Sequence, residues 1–332
     1  MKINKFNHQI ELLEKVKAKI QHAFSYADEI ADLLQISKDA VYRRMRGETA
    51  LSLDEAALLI EHFQIENPFQ INNSTVNFQF TTYTSESNEI VRYLNKLSTD
   101  LDTIGLDKST ELIFCAEDIP LFHYFDFPLL GAFKLFYWQK SILYTEEFQQ
   151  KIFSENIINE DVINISRDLS EKYKRIPSLE IWTENTVNSF LKQIEFYNDA
   201  GYIDSEKTTY AICTEVKKMV DKIESQTING YKNNNDSSDQ FQLYLSDVSI
   251  GNNCVLAKLE NVNLLYLSFN TFNILKCVEP VFIQENEKWI KRIMDNSIPL
   301  SKCSQKIRNK FFTNIYKRID EFMIKLSDPL DL

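Results

Sequence analysis

The chain has 332 residues, a formal net charge of −11, 44% hydrophobic and 26% charged residues, and only six Gly and seven Pro. That length allows two or three domains of roughly 100–200 residues each. The proportions are near those of an average globular protein, which excludes wholesale disorder, collagen-like repeats and a disulfide-dense scaffold.

The N-terminal residues carry charge throughout and lack the apolar run of a signal peptide, so export is not expected. Residues 5–66 read as four or five short helices. Ile10, Leu13, Val16 and Ile20 recur at three and four residues and predict an amphipathic helix over 7–23. A second, 26–34, is apolar at Ile30, Ala31, Leu33 and Leu34. Ser37 stands where an N-cap opens a helix over 38–46, and Gly47 follows where a left-handed residue is favoured. Ser52 caps a further helix, 53–63, whose buried face is expected to be Ala56, Ala57, Leu59, Ile60 and Phe63; Pro68 closes the module.

Between 70 and 83 the pattern changes: Val76, Phe78 and Phe80 alternate with Asn77, Gln79 and Thr81, as in a strand or extended linker. Helical periodicity returns over 88–105, 128–143, 146–153, 160–173, 179–200 and 205–225, with 112–116 as a candidate strand. The helix from Pro128 is apolar nearly all round and should be the buried centre of a helical body. Residues 119–143 are rich in Phe, Leu and Tyr, but His123, Asp126, Pro128 and Lys134 interrupt them, so they read as core and not as a membrane span. Residues 229–240, rich in Asn, Asp and Ser, form a flexible loop. Strands at 241–245, 254–259 and 263–269 follow, the last two joined by a tight turn at Asn261 and Val262, and then helices at 285–295 and 304–326. No repeat of fixed period is present.

The run SYADEIADLLQISKDAVYRRMRGE, beginning at Ser25, carries the most information. It resembles the helix-turn-helix of phage-repressor-like (Xre/Cro-type) transcriptional regulators. Ala31 is small where the two helices approach, Ile36 anchors the turn, and Val41 and Met45 hold the second helix. Two positions depart: the family usually has Gly in the turn, where Gln35 stands here, and Arg44 occupies a more often apolar site, along which its stem can lie. The resemblance covers about 60 residues. It implies that the second helix enters the major groove of double-stranded DNA. Lys38, Asp39 and Arg43 are then the base readers, Arg43 being suited to a bidentate contact with guanine. Ser37, Tyr42, Arg44, Arg46 and Thr49 are the phosphate contacts. Residues 1–67 hold nine Lys and Arg against eleven Asp and Glu, yet Lys38, Arg43, Arg44 and Arg46 lie within nine residues opposed only by Asp39. The bland account is a small bundle whose Arg-rich helix is a solvated face.

Elsewhere no catalytic set converges. Cys115 and His123 are read as a buried thiol and a packed histidine, without a third member or an oxyanion-hole glycine run. No metal-ligand spacing and no phosphate-binding loop occurs among four scattered His and six Gly, so no cofactor, metal or enzymatic activity is expected. The five cysteines, Cys115, Cys213, Cys254, Cys277 and Cys303, include no C-x-x-C pair and fit a cytoplasmic setting. The aromatic group Phe122, Tyr124, Phe125, Phe127, Phe133, Phe136, Tyr137 and Trp138 is either core or the lining of an apolar pocket. The last helix offers Phe311, Phe312, Ile315, Ile319 and Phe322 as an ordinary buried stripe or a dimerisation face, with its Lys and Arg as a solvated, nucleic-acid or membrane surface.

The expected fold class is mainly α (α+β): a helix-turn-helix bundle (1–67), a linker or strand (68–84), a large helical body (85–228), a flexible loop (229–240), and a small α+β region (241–332) whose antiparallel sheet packs with flanking helices on that body. The expected function is a dimeric, sequence-specific DNA-binding regulator with a large sensor or assembly domain. The alternatives are a regulator sensing a peptide or small molecule, and a protein-interaction module whose head does not read DNA.

Overall fold

The computed structural model describes residues 7–20, 26–65, 76–84, 86, 88–107, 109–233, 240–269, 273–301 and 305–327. The chain divides into two compact units, Met1–Asn77 and Phe78–Leu332. Of the expected linker, 68–75 lies outside the described residues, and 76–84 runs extended.

The first unit holds α1 (Asn7–Lys19), α2 (Tyr26–Leu34), α3 (Lys38–Met45) and α4 (Leu53–His62). Leu12, Leu13, Val16, Ile30, Val41 and Leu59 form its core, each 0–1% exposed. On α4 the buried positions are Ala56 and Leu59, and Ala57, expected inside, is exposed. The ends of α2, α3 and α4 repeat one device. Ile36 N donates to Ala31 O (3.0 Å) and Gln35 N to Asp32 O (3.3 Å). Glu48 N donates to Arg43 O (2.8 Å) and Gly47 N to Arg44 O (3.0 Å), while Ile65 N donates to Ile60 O (2.9 Å) and Gln64 N to Glu61 O (3.3 Å). These paired bonds are Schellman motifs, which require a left-handed residue after the helix. Gln35 (φ +53°), Gly47 (φ +70°) and Gln64 (φ +47°) supply it. A side chain bearing Cβ is strained there, so Gln35→Gly is expected to stabilise this unit by about 1 kcal/mol. Hydrogen exchange of the α3 and α4 amides should slow by roughly fivefold, and unchanged exchange would refute the strain argument.

The second unit is built on strands β1 (Glu111–Cys115), β2 (Ser178–Trp182), β3 (Phe241–Leu245), β4 (Cys254–Lys258), β5 (Leu264–Phe269), β6 (Asn273–Cys277) and β7 (Ile298–Pro299). They form one seven-stranded sheet among the described residues, in the order β6-β5-β4-β1-β2-β3-β7. β1, β2 and β3 are parallel; β4, β5, β6 and β7 join antiparallel. The sheet is thus larger and mixed, not a small antiparallel one. Because it takes β1 and β2 from 85–228 and the rest from 241–332, those two segments form one body. Residues 179–200, expected as one helix, are split between β2 and a helix. β2 is buried on both faces and so lacks the alternation that marks a half-exposed strand.

The helices are α5 (Glu89–Gly105), α6 (Leu121–Tyr124), α7 (Pro128–Tyr137), α8 (Glu146–Gln149), α9 (Glu160–Lys174), α10 (Asn188–Asp199), α11 (Glu206–Asn229), α12 (Pro280–Asp295) and α13 (Gln305–Ser327). α9 lies in the β1–β2 crossover, and α10 and α11 lie in the β2–β3 crossover, the length that parallel pairing demands. Side chains alternate across the sheet. Leu112, Phe114, Trp182, Phe241 and Leu243 join the main core, into which α7 is sunk along most of its length. Ile113, Cys115, Leu179, Ile181, Leu256 and Leu265 point to the other face and are also buried. Pro128 stands at the start of α7, and Glu215 of α11 accepts from the amides of Leu129 and Leu130 (both 3.0 Å), capping that buried end. The helix then widens into a π turn, Trp138–Ile142, with Leu143 N donating to Trp138 O at 2.8 Å.

α13 packs on α11, and Phe311, Phe312, Ile315, Ile319 and Phe322 are 0–7% exposed within the unit's own core. That stripe is therefore not a free dimerisation face. The edge strand β6 is met by Gln79, which exchanges both backbone bonds with Lys276 (2.8 Å each), and Phe78 packs edge-on against Phe282. This covers part of an exposed sheet edge. Of the loop 229–240, Asn229 ends α11, Gly230 is left-handed (φ +79°), and Tyr231 pairs with Gln240; 234–239 lie outside the described residues. No described helix is long and apolar enough to cross a membrane.

Candidate nucleic-acid interface

α2 and α3 are joined by the turn at Gln35 and Ile36, and Ser37 opens α3 by accepting from Ala40 N (3.2 Å). Val41 is fully buried against the core. Positions 39, 42, 43 and 46 are spaced by three and four, so they share one helix face. Asp39, Tyr42, Arg43 and Arg46 are all exposed, with Ser37 and Lys38 beside them at the helix start. Six of the eight expected contact residues thus fall on one surface, and Thr49 is exposed on the loop that follows.

Their charges are partly spent. Lys38 pairs with Asp28, which raises its pKa, and Arg46 grips Glu48 with two bonds (2.7 and 3.0 Å). That grip holds the Glu48 carboxyl below its ordinary value. Both pairs are exposed, where solvent leaves an ion pair weak, so an incoming phosphate can displace either acid. The Arg43 guanidinium makes no hydrogen bond or ion pair among the described residues. Tyr42 stands edge-on to Tyr26 at 6.1 Å.

Arg44, expected as a phosphate contact, lies elsewhere. It sits on the flank of α3 that faces α4, is 13% exposed, and donates to Glu55 Oε1 at 2.8 Å. Glu55 closes the α4 capping box with Ser52. Burial works to raise the Glu55 carboxyl, but the Ser52 amide and Arg44 outweigh it and hold it down. Sequence reading also missed Gln9. From α1, its Nε2 donates to Arg44 O (2.7 Å) and Thr49 O (2.8 Å), and its Oε1 accepts from Leu51 N (2.7 Å). One buried amide thus serves two loop groups that no helix pairs, Thr49 O and Leu51 N, and adds a second bond to the Arg44 carbonyl at the end of α3.

In the second unit, the register places Phe114 opposite Glu180 and Cys115 opposite Ile181, so Cys115 and Glu180 point to opposite faces. His123 bonds Glu180 (2.7 Å) and is therefore across the sheet from Cys115, and burial pushes the Cys115 thiol up to about 12. No nucleophile and base pair is formed. Glu180, 0% exposed, also accepts from Trp182 Nε1 (2.8 Å) and from Tyr173 OH. Burial alone would raise its carboxyl; His123 first, then Tyr173 and Trp182, hold it below the ordinary value. Nearby, Lys232 donates to Tyr173 O (2.8 Å), Ile176 O and Ser178 Oγ (2.9 Å). Every partner in this cluster is enclosed, which makes it a structural network. Among the described residues no group of three or more His, Cys, Asp or Glu is placed to hold a metal ion.

Comparison with known protein families, curated proteins and solved structures found no match.

Proposed function

We propose that the chain is a sequence-specific DNA-binding transcriptional regulator, acting in the cytoplasm as a homodimer, with residues 78–332 as its assembly and sensor unit. One observation carries this reading: a capped helix following a Schellman turn presents Asp39, Tyr42, Arg43 and Arg46 as a continuous exposed face. The Ser37-capped start adds free amides and a positive helix end, which favour phosphate. Two such helices, one DNA turn apart, match a two-fold operator.

Selection from randomised duplex DNA tests it. The wild-type protein should enrich an inverted repeat, and Arg43→Ala should weaken binding to that site by roughly 5–150-fold while relaxing one base position in each half-site. Arg46→Ala should weaken all sequences alike and lower the salt dependence. Lys38 and Arg46 are already paired with acids, which favours a second reading, a protein-interaction head. Absence of any enriched sequence at low salt selects that reading, and light scattering showing a monomer at micromolar concentration removes the dimer.

A further inference from the structure

The second unit forms a half-open cavity of about 540 Å³ at the carboxyl end of β1. Pockets for small organic ligands have volumes of roughly 300–1,000 Å³. It opens at the end of the central strand, which pairs parallel with β2 on one side and antiparallel with β4 on the other. Of the aromatic group singled out in the sequence, Phe122, Tyr137 and Trp138 border this space, while Tyr124, Phe125, Phe133 and Phe136 are core. Trp138 also begins the π turn, a departure from α geometry that recurs at functional sites. Tyr93, Leu97 and Phe114 complete an apolar wall.

The polar lining distinguishes ligands by hydrogen-bond role. Lys134 is the one cation among the described lining residues, and it is spent: its ammonium bonds Asp118 (2.8 Å) and lies over the rings of Tyr124 (4.8 Å) and Phe190 (5.2 Å). Asp118 further accepts from Tyr124 OH and the Ile119 amide (both 2.9 Å), and Asp100 pairs with Lys276 at 3.3 Å. Three groups remain over. Gln193 Oε1 and Tyr266 OH are buried without a hydrogen bond, and the exposed Glu117 carboxylate at the rim has no partner among the described residues. The carboxylate accepts only, whereas the Gln193 amide, the lining hydroxyls and the Asn side chains can donate or accept and so do not discriminate by themselves. An orphaned buried acceptor costs about 1–3 kcal/mol until a donor reaches it.

We infer that this cavity binds a small amine: a protonated nitrogen that donates to Glu117 and Gln193, carried on an aromatic body that fills the wall of Tyr93, Phe114 and Trp138. Ring faces on that wall attract a cation as well. The inference stands apart from DNA recognition; only the further expectation that the amine alters operator affinity rests on the regulator reading.

Isothermal titration of the full chain with 4-phenylbutylamine, 4-phenylbutanol and 4-phenylbutyrate tests it, because the three share a body and differ in the head. The amine should bind saturably and at least about tenfold more tightly than the carboxylate. Glu117→Gln, at an exposed position that leaves folding intact, should shrink that preference by about two- to fivefold. Gln193→Leu should weaken the amine while sparing the alcohol's apolar contacts. The inference is overturned by no saturable heat at millimolar amine, by the carboxylate binding as tightly as the amine, or by a preference unmoved in both variants.

Discussion

Replacing Glu180 by alanine removes about 3–5 kcal/mol from the stability of the unit spanning 78–332, a large share of the 5–15 kcal/mol that a folded domain has. The carboxylate is fully buried in the centre of the sheet and takes bonds from His123, Tyr173 and Trp182. Truncation leaves those donors without an acceptor and with no water to replace it, which is the costly way to break a buried network. Replacing Glu180 and His123 together by leucine should recover part of the loss, since both members of the bonded pair then leave. All three tryptophans, Trp138, Trp182 and Trp289, lie in this unit, so fluorescence during urea unfolding reads it alone. The same network sets a pH dependence. Glu180 is held below its unfolded value, near 4.3, so its contribution is complete above that pH and disappears as pH falls through the lowered value. Asp126 acts alike: burial works to raise it, and Lys174 and Lys222 outweigh that. The wild-type urea midpoint should fall from about pH 5 downward, less steeply in Glu180→Gln. A flat profile, or a loss under about 1 kcal/mol for alanine, would show that the network is not strongly coupled to folding.

Gln9→Ala is the second large effect, expected to cost the first unit about 2–3 kcal/mol. One side chain bonds Arg44 O, Thr49 O and Leu51 N, which together hold the segment between α3 and α4. A bundle of some 60 residues has little stability to spare. Local opening should therefore spread through α3, with hydrogen exchange of its amides faster by roughly 30–150-fold and binding to a selected duplex lost in proportion. Protection unchanged within twofold would show that solvent replaces the amide at no cost.

Much of the first unit was legible because its signals are local. Helix stripes, the Ser37 and Ser52 caps and the Gly47 stop all follow from spacing of three and four residues. Gln35 was legible only as an anomaly: its side chain gives no hint of φ +53°, and the bonds to Ala31 and Asp32 impose it. Arg44 was misread because an arginine near other cations looks like surface until Glu55 closes over it. Gln9 could not be found at all, since its partners are backbone atoms 35 to 42 residues away. In the second unit, β2 was hidden for a related reason. Its sequence SLEIW carries a carboxylate in the middle, which reads as a solvent-facing helix position until His123, Tyr173 and Trp182 are seen around it. The cavity was half visible: its aromatics stood out, but only the path of the chain separates Tyr137 and Trp138 from the core residues beside them.

The order of the sheet also bears on how the protein is made. β1 is the central strand, yet one neighbour ends at Trp182 and the other at Lys258. A ribosome adding 5–20 residues per second needs roughly 7–30 s after β1 emerges before β4 can close its second edge. Throughout that interval an apolar strand, ELIFC, has one side of its backbone open to any passing chain. Yield in a heterologous host should therefore depend on nascent-chain chaperones and on translation speed more than on the stability of the finished fold.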